Sequence, residues 1–454
     1  MIARLAREKL PGMDKPRFHH QLNASVLVIL NLVLTACSIW NSPTPPPLPT
    51  PSPTLRAAAT AIPTPTETVV SGTVSIWHAL DEQQFPWLLK AISEFQSQYP
   101  NVQFDVSFIP ALDLKTSFEV AISEGRQPMI LIGPGSWGPE FFDLGWLADL
   151  SGLASAELTG NLNPAALGAT QYDGALIGLP LHIQGVVLYR NSSIIIEQAN
   201  TLEKMLSMAR QANREDVRGA YLERSFYYSG GHLSGLGGRL MDENGYPAFN
   251  DEFGLEWIGL LREFELMGPT EFFGDNDLQA FTENSAGYII ESTRIRSSLR
   301  DAVGTMNIAI DPWPIMDQGM LSGYVESENI YLTPGALDQP GMPAWRFVES
   351  LFSAEIVTEL AAAGMIPSIR ASVALAPGSG ISITDDLTRE AMVALEDGST
   401  YPVVPEMVYY PPQMNIALQS IFFDNAEANV ALQAAEEAIR ESITSMQSTP
   451  TSQP

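Results

Sequence analysis

The fold is decided by residues 73–110, which read TVSIWHALDEQQFPWLLKAISEFQSQYPNVQFDVSFIP. The stretch opens with alternating apolar and polar residues, with Val74 and Ile76 on one face, which predicts a β-strand. Apolar residues then recur at helical spacing over residues 85–99, and alternation returns over residues 102–108. The order strand, helix, strand is typical of a parallel sheet that is covered by helices.

The same pattern continues along the chain. Further strands are predicted at PMILIGP (residues 128–134), as two pieces within residues 178–190, at residues 286–292 and at residues 306–314. Helices are predicted over residues 112–125, 202–211, 251–267 (capped by Asp251), 342–364 and most of 412–443. The sequence therefore predicts an α/β fold, with residues 342–364 forming one long helix.

Composition limits the classes of partner. The chain has 454 residues and a single cysteine, which excludes an internal disulfide, so a large core must hold the fold together. Lys and Arg number 24 against 52 Asp and Glu, which gives a formal net charge of −28. Phosphate backbones repel such a chain, and we therefore expect no nucleic-acid partner.

The N-terminus has the organisation of an export signal. Several basic residues precede the apolar run ASVLVILNLVLTA at residues 24–36, which is shorter than the roughly 20 residues that span a bilayer. The following LTAC, ending at Cys37, resembles the lipobox of bacterial lipoproteins, which implies cleavage before Cys37 and lipidation of its side chain. The alternative is a buried cysteine in a membrane-spanning segment. We assign residues 1–36 to the signal.

A proline- and threonine-rich tract follows Cys37. Proline favours extended conformations without backbone donors, so residues 37–71 are predicted to be a lipidated, semi-rigid linker that holds a globular part away from a membrane. Together with the signal, this tract predicts an extracytoplasmic protein that is anchored to the cell membrane by lipid.

Ordered blocks of the globular part resemble the extracellular solute-binding proteins of ABC importers, in the class that includes maltose-binding protein. The blocks are residues 75–110, FFDLGWLADLS (141–151), YDGALIGLPLHIQGVVLYRNSSI (172–194), GGRLMDENGYPAFND (237–251), FTENSAGYIIEST (281–293) and residues 344–368. The sequence departs from that family at Pro128–Met129, where Pro-Asp is frequent, and in ESTRIRSSLR (291–300), which lacks a tryptophan often found there.

The resemblance implies a periplasmic-binding-protein type II fold, in which two α/β lobes joined by a hinge enclose a ligand in a cleft. We expect lobe 1 at residues 72–181 and 324–372, lobe 2 at residues 184–318 and 378–445, and a disordered tail at residues 446–454. It also implies a monomer that binds a small solute, most simply a carbohydrate, and docks on an ABC permease. No cofactor and no metal are expected.

Ligands of open parallel sheets bind beyond the carboxyl ends of the strands, and this rule selects the candidate contacts. They are the residues in loops after predicted strands, namely Trp77, Asp81, Glu82, Ser136, Trp137, Thr293, Arg294 and Trp313. Tyr409 and Tyr410 join them because they resemble a late aromatic of the family that closes over sugars. Aromatic rings match sugar faces, whereas carboxylates, hydroxyls and arginine match the hydroxyl rim.

Each candidate has an alternative structural role. Trp77, Trp137 and Trp313 could be core or hinge residues, and Arg294 could form a surface salt bridge. Asp81 and Glu82 could complement the dipole of the helix that follows them.

Enzyme chemistry is less well supported by the sequence. GPGSWG at residues 133–138 fails as a nucleophile elbow because Pro134 stands where a glycine is required. No histidine pair has the spacing of a helical zinc site, and no carboxylate pair is singled out for glycoside hydrolysis. The leading hypothesis is a receptor for an importer; a secreted polysaccharide hydrolase and a solute sensor for a membrane kinase are the alternatives.

Overall fold

The computed structural model describes residues 69–448. The predicted export signal, Cys37 and nearly all of the linker therefore lie outside the described residues. Within residues 69–448, no helix combines the length and apolarity needed to cross a membrane.

Strands and helices alternate along the described chain. The strands are Gly72–His78 (β1), Val102–Phe108 (β2), Ile130–Pro134 (β3), Gln171–Tyr172 (β4), Ala175–Leu176 (β5), Leu179–Asn191 (β6), Arg218–Ala220 (β7), Leu222–Glu223 (β8), Thr270–Glu271 (β9), Ala286–Ser292 (β10), Ile308–Asp311 (β11), Tyr324–Leu332 (β12), Ile366–Pro367 (β13) and Ser399–Thr400 (β14).

The α-helices are Phe85–Gln98 (α1), Ala111–Ser123 (α2), Gly138–Asp143 (α3), Ala156–Gly160 (α4), Pro164–Gly168 (α5), Leu202–Ala212 (α6), Phe226–Gly235 (α7), Glu252–Glu263 (α8), Asn276–Thr282 (α9), Arg296–Val303 (α10), Pro343–Ser350 (α11), Ala354–Ala362 (α12), Ala371–Ala374 (α13), Asp386–Glu396 (α14), Tyr410–Phe422 (α15) and Ala428–Ser448 (α16). Single 3₁₀ turns follow β3 at Gly135–Trp137 and β10 at Thr293–Ile295, and another precedes α15 at Pro405–Tyr409.

One ten-stranded sheet connects most of the strands. Seven of its strands follow the order β2-β1-β3-β12-β6-β10-β7; of the other three, β11 and β13 pair with β6, and β14 pairs with β12. β1 pairs in parallel with β2 and with β3, which confirms the parallel arrangement predicted from residues 73–110. β12 and β10 pair antiparallel with β6, so the sheet is mixed beyond β3. The α/β fold class is therefore confirmed.

The long strand β6 joins the part of the sheet that contains β12 to the part that contains β10 and β11. It has 13 residues, all buried except the partly exposed Gln184. Its first half pairs with β12, and its second half pairs with β10 and β11. The two pieces predicted within residues 178–190 are thus a single strand, because β12 and then β10 and β11 pair with it in succession along its length. The lobe boundaries given above remain a prediction.

A large apolar core packs against the half of the sheet near β10. Asp251 caps α8 as predicted, since its Oδ1 accepts a hydrogen bond of 3.1 Å from the Gly254 amide. This cap orients Trp257 into the core, where the ring is fully buried and its Nε1 donates to the Ser229 carbonyl at 2.9 Å. Burying such a ring stabilises the fold by roughly 3 kcal/mol.

The prediction of a single helix over residues 342–364 is wrong, because this segment forms two helices, α11 and α12. The Ser350 hydroxyl donates to the Phe347 carbonyl at 2.7 Å, and Ser353 adopts an extended conformation before α12 begins. Serine side chains that bond local carbonyls compete with the helical ladder. The apolar spacing continued through the break because both helices bury their apolar faces in the same core cluster.

Candidate functional site

A cavity of about 290 Å³ opens between the loop after β3 and the β6–β12 pair. It lies beyond the carboxyl end of β3, as expected for an open sheet with parallel strands. Its polar and aromatic lining comes from five segments of the chain and comprises Ser136, Trp137, Gln184, Arg294, Glu326, Ser327, Glu328 and Tyr401. A cavity of this size suits a small solute, since it lies at the lower end of the usual range for ligand sites.

Two glutamates on β12 face this cavity, and we call Glu326 and Glu328 the carboxylate pair. Positions two apart on a strand point to the same side, so both side chains emerge from one face of the sheet. In the register between β12 and β6, Glu326 lies opposite Gln184 and Glu328 lies opposite His182. The two cross-strand pairs therefore form a polar strip along the centre of the sheet.

Each member of the carboxylate pair is held by hydrogen bonds through one oxygen. The Tyr227 hydroxyl donates to Glu326 Oε2 at 2.6 Å, and the guanidinium of Arg294 lies 3.9 Å from the same oxygen. His182 Nε2 donates to Glu328 Oε2 at 2.9 Å. Arg294 is largely exposed, so its attraction to Glu326 is weakened by water.

The loop that carries Trp137 is fixed from the opposite face of β12. The Tyr331 hydroxyl donates toward the carbonyl oxygens of Pro134 and Gly135, at 2.9 and 3.1 Å, and accepts from the Gly138 amide. The side-chain amide of Asn329 donates to the same hydroxyl at 3.2 Å. This buried network satisfies the polar groups of the loop, which would otherwise be costly to enclose.

Trp137 combines a structural contact with an open face. Its ring lies over Gly133, where an added Cβ would approach the ring to 2.8 Å, and it tilts against Phe141 with ring centroids 5.8 Å apart. The residue is half-buried and also lines the cavity. Its environment therefore holds the ring in place while leaving part of it available to a ligand.

A second group of acidic residues comprises Glu223, Glu271 and Glu291, near the carboxyl ends of β8, β9 and β10, and Asp277 in the first turn of α9. We call these four residues the acidic edge. All four are buried. Within residues 69–448, no three or more His, Cys, Asp or Glu side chains are arranged to hold a metal ion. Burial raises the pKa of Asp277 to about 8, and the charges of Glu291 and Glu223 add to the effect.

Burial also raises the pKa of Glu291 to about 7, against the opposing hydrogen bonds from the Ser292 amide and the Tyr228 hydroxyl. Asp277 Oδ2 has no hydrogen-bond partner among the described residues. A protonated carboxyl at this position avoids enclosing a second uncompensated charge beside Glu291.

Three of the residues predicted from sequence, Ser136, Trp137 and Arg294, come together in the cavity lining. Trp77 is half-buried and packs in the apolar cluster that also contains Trp137. Asp81 stabilises the turn before α1, because its Oδ1 accepts from the amides of the next two glutamines at 2.8 and 2.9 Å. The neighbouring carboxylate at position 82 is exposed.

Four other predicted residues lie outside the lining. Thr293 is buried, and its Oγ1 accepts from the amide of Gly185 at 3.1 Å. Trp313 packs edge-on against the buried ring of His232, with centroids 5.5 Å apart. The Tyr410 hydroxyl donates to the Gly245 carbonyl at 2.7 Å, and Tyr409 packs partly buried on the same core. Ligand contacts by these residues and by those near β1 remain predictions.

Sequence reasoning missed the residues that β6 and β12 contribute. Gln184, Glu326 and Glu328 lie within strands, whereas our search was confined to loops after strands. The alternation in VESENIYL at residues 325–332 was the available signal, since charged residues at every second position of a strand mark a face that is not packed in the core.

The chain belongs to the family described as bacterial extracellular solute-binding proteins, whose model matches residues 90–389, about two thirds of the sequence. This match confirms the resemblance noted from the sequence. It places the protein among solute-binding proteins that work outside the cytoplasm.

Solved structures of sugar-binding proteins share the fold. The cyclic alpha-maltosyl-1,6-maltose binding protein of Arthrobacter globiformis superposes with a TM-score of 0.69 at 19% identity, covering 82% of this chain and 99% of that chain. An extracellular solute-binding protein from Staphylococcus aureus, solved with maltose, gives 0.70 at 15% identity and covers 82% and 98%. The maltose-binding periplasmic protein of Listeria monocytogenes gives 0.69 at 14% identity and covers 84% and 99%.

The hydrogen bonds of Tyr331 generate a prediction about the Trp137 loop. Tyr331→Phe removes the hydroxyl that links the buried side-chain amide of Asn329 to the loop carbonyls, and it leaves that amide without this partner, which should cost about 1–3 kcal/mol of unfolding free energy. We expect faster amide hydrogen exchange in residues 134–138, measured by mass spectrometry.

Tyr172→Phe is the matched control, because the Tyr172 hydroxyl donates to Asp143 at 2.9 Å in an exposed contact. It should change the unfolding free energy by less than about 0.5 kcal/mol and leave exchange in residues 134–138 unchanged. Equal exchange in that segment for Tyr331→Phe and the wild type would contradict the anchoring role.

The acidic edge generates a prediction about pH. The folded pKa of Asp277 lies far above its unfolded value, so its protonated form contributes stability that is present at low pH and is lost as the pH rises toward about 8. Asp277→Asn cannot ionise. We therefore expect its unfolding free energy, relative to wild type, to rise by more than about 1 kcal/mol between pH 5 and about pH 9.

The measurement is urea unfolding of both proteins across this pH range. Asp424→Asn, at an exposed aspartate, controls for the change in net charge. A constant or falling difference between Asp277→Asn and wild type would show that Asp277 is already ionised in the folded protein.

Proposed function

We propose that this protein is the lipid-anchored receptor of an ABC importer, which captures a small carbohydrate and delivers it to a membrane permease. The observation that carries the proposal is the cavity lining, in which the Trp137 ring lies beside the carboxylate pair, Gln184 and Arg294. An aromatic face suits the apolar side of a sugar ring, and the surrounding acceptors and donors suit its hydroxyls. The fold shared with the maltose-binding proteins named above supports the choice of ligand class.

The proposed capture of the ligand follows from the fact that different strands contribute residues to the cavity lining. In the strand order β3-β12-β6-β10, Ser136 and Trp137 follow the strand at one end, β3, whereas Arg294 follows the strand at the other end, β10. A ligand that contacts both ends favours the arrangement in which they approach each other, because only that arrangement provides all of the contacts. Strands β6 and β12 lie between the two ends and are the natural hinge.

Hydrolysis of the bound sugar is the weaker alternative. Glycosidases place two carboxyl groups on either side of the bond that they cleave. The carboxylate pair instead projects from neighbouring positions on one face of β12, where both groups approach a ligand from the same side. We therefore propose that the ligand is released unchanged. A sensor that signals to a membrane kinase would use the same binding step and would differ only in its protein partner.

A thermal-shift screen against mono- and oligosaccharides tests the proposal directly. A bound sugar at a hundredfold excess over Kd should add about 2.7 kcal/mol of stability. Trp137→Ala should weaken the binding of the best sugar by about tenfold or more, because it removes the stacking surface, whereas Trp137→Phe should retain most of the affinity.

Mass spectrometry of the sugar after incubation is the control for catalysis, and an unchanged sugar is expected. Binding of other solute classes with no response to any sugar would overturn the ligand assignment. Unchanged affinity in Trp137→Ala would remove this ring from the site.

The proposed anchor predicts a separate result. Cys37→Ser removes the thiol that would carry lipid, so the protein should move from the membrane fraction to the soluble fraction or the medium. The measurement is fractionation of expressing cells followed by immunoblotting. Persistent membrane association of Cys37→Ser would instead favour an uncleaved apolar segment as the anchor.

A further inference from the structure

The charge of the cavity lining is unbalanced. The carboxylate pair contributes two negative charges, and Arg294 contributes the one positive charge among the charged residues that line the cavity. No lysine lines the cavity within residues 69–448. The rest of the protein does not compensate, because the chain as a whole carries a formal charge of −28. Acidic lining at the bottom of a cleft concentrates cations and excludes anions.

The carboxylate pair also has unused acceptor capacity. The hydrogen bonds and the ion pair that the described residues make with these glutamates all involve Oε2, from Tyr227, His182 and Arg294. Oε1 of Glu326 and Oε1 of Glu328 have no such partner in the described part of the chain. The fixed Oε2 atoms orient both carboxylates, so the two free oxygens are presented to the cavity in defined positions.

Glu328 is the less compensated of the two. Its hydrogen-bond partner is the imidazole of His182, and the second imidazole nearby, His78, is buried with its pKa lowered mainly by that burial. Glu326 by contrast has the guanidinium of Arg294 at 3.9 Å. A ligand that covers Glu328 must therefore replace the water around a carboxylate whose partner among the described residues is an imidazole and not a guanidinium.

Among sugar substituents, an ammonium group meets this requirement best. A hydroxyl donates one hydrogen bond to a carboxylate and leaves its charge uncompensated, whereas an ammonium group donates three and neutralises it. A carboxylate or phosphate on the ligand would add a like charge in the same enclosed space. Trp137 and Tyr401 are compatible with a cation, since aromatic faces attract ammonium groups.

We infer that the ligand of this cavity is an amino sugar, whose ammonium group binds between the free oxygens of Glu326 and Glu328. The inference rests on the proposed carbohydrate-binding function and specifies the class of sugar. It assigns the carboxylate pair the role of selecting ligand charge, and Trp137 the role of binding the sugar ring.

The test compares disaccharides that have the same linkage and differ in charge. The probes are the β-1,4-linked dimers of glucosamine, glucose and N-acetylglucosamine, with maltose as a neutral sugar of different linkage and spermidine as a cation that is not a sugar. Affinities are measured by isothermal titration calorimetry at about pH 7, where imidazoles are ordinarily mostly neutral while amines remain mostly protonated. We expect the glucosamine dimer to bind at least about tenfold more tightly than either neutral dimer.

Two isosteric variants locate the effect. Glu328→Gln and Glu326→Gln keep the shape and a hydrogen-bonding oxygen but remove the charge, so the preference for the glucosamine dimer should fall to within about threefold. Glu441→Gln removes the same charge from an exposed site on α16 outside the lining, and its preference should equal that of the wild type. Circular dichroism confirms that each variant is folded.

The possible results separate this inference from the proposed function. Tighter or equal binding of the neutral dimers, or binding of maltose with no binding of any amine-bearing probe, overturns the inference and leaves the proposed function intact. Binding of spermidine without any sugar overturns the proposed function while supporting the role of the carboxylate pair. A preference that persists in both Glu→Gln variants also overturns the inference.

Discussion

The register between β6 and β12 is the constraint on which the site depends. A slip of one residue would turn Glu326 and Glu328 to the opposite face of β12, away from the cavity. The two strands approach each other closely at Gly185, next to the polar strip. An added Cβ at Gly185 would lie 2.3 Å from the Tyr324 carbonyl oxygen, so only glycine fits at this position. The register shifts immediately after Glu328, where a bulge ends the polar strip.

The two faces of β12 have different roles in the site. One face presents the carboxylate pair to the cavity. The other face carries Ser327, Asn329 and Tyr331, whose side chains form a hydrogen-bonded chain that ends on the loop of Trp137. The carboxylate pair and the residues that hold the Trp137 loop belong to the same strand. The backbone of β12 therefore sets the distance between Trp137 and the carboxylate pair. Little side-chain ordering is left for a ligand to induce, which lowers the entropic cost of binding.

The sequence was informative wherever local periodicity or strand order determined the outcome. It predicted the parallel start of the sheet, the cap at Asp251 and the loops that place Trp137 and Arg294 at the cavity. The predictions failed where contacts between distant parts of the chain determine the structure. The break between α11 and α12 is invisible in the apolar spacing, since both helices share one core. Glu326 and Glu328 were missed because candidates were taken from loops after strands; the alternation at residues 325–332 marks an unpacked face, but the pairing with β6 that brings this face to the cavity is a long-range contact.

The acidic residues of this protein belong to two electrostatic environments that are joined by one helix. The adjacent residues Tyr227 and Tyr228 on α7 hydrogen-bond to Glu326 in the cavity and to Glu291 in the acidic edge, respectively. With a pKa of about 8, Asp277 is mostly protonated near neutral pH, so it adds little negative potential to the cavity. Asp277 therefore adds less to the field that a solute meets than the partly exposed glutamates of the carboxylate pair, which line the cavity. A count of acidic residues in the sequence does not show this difference, because it depends on the burial of Asp277 in the folded protein.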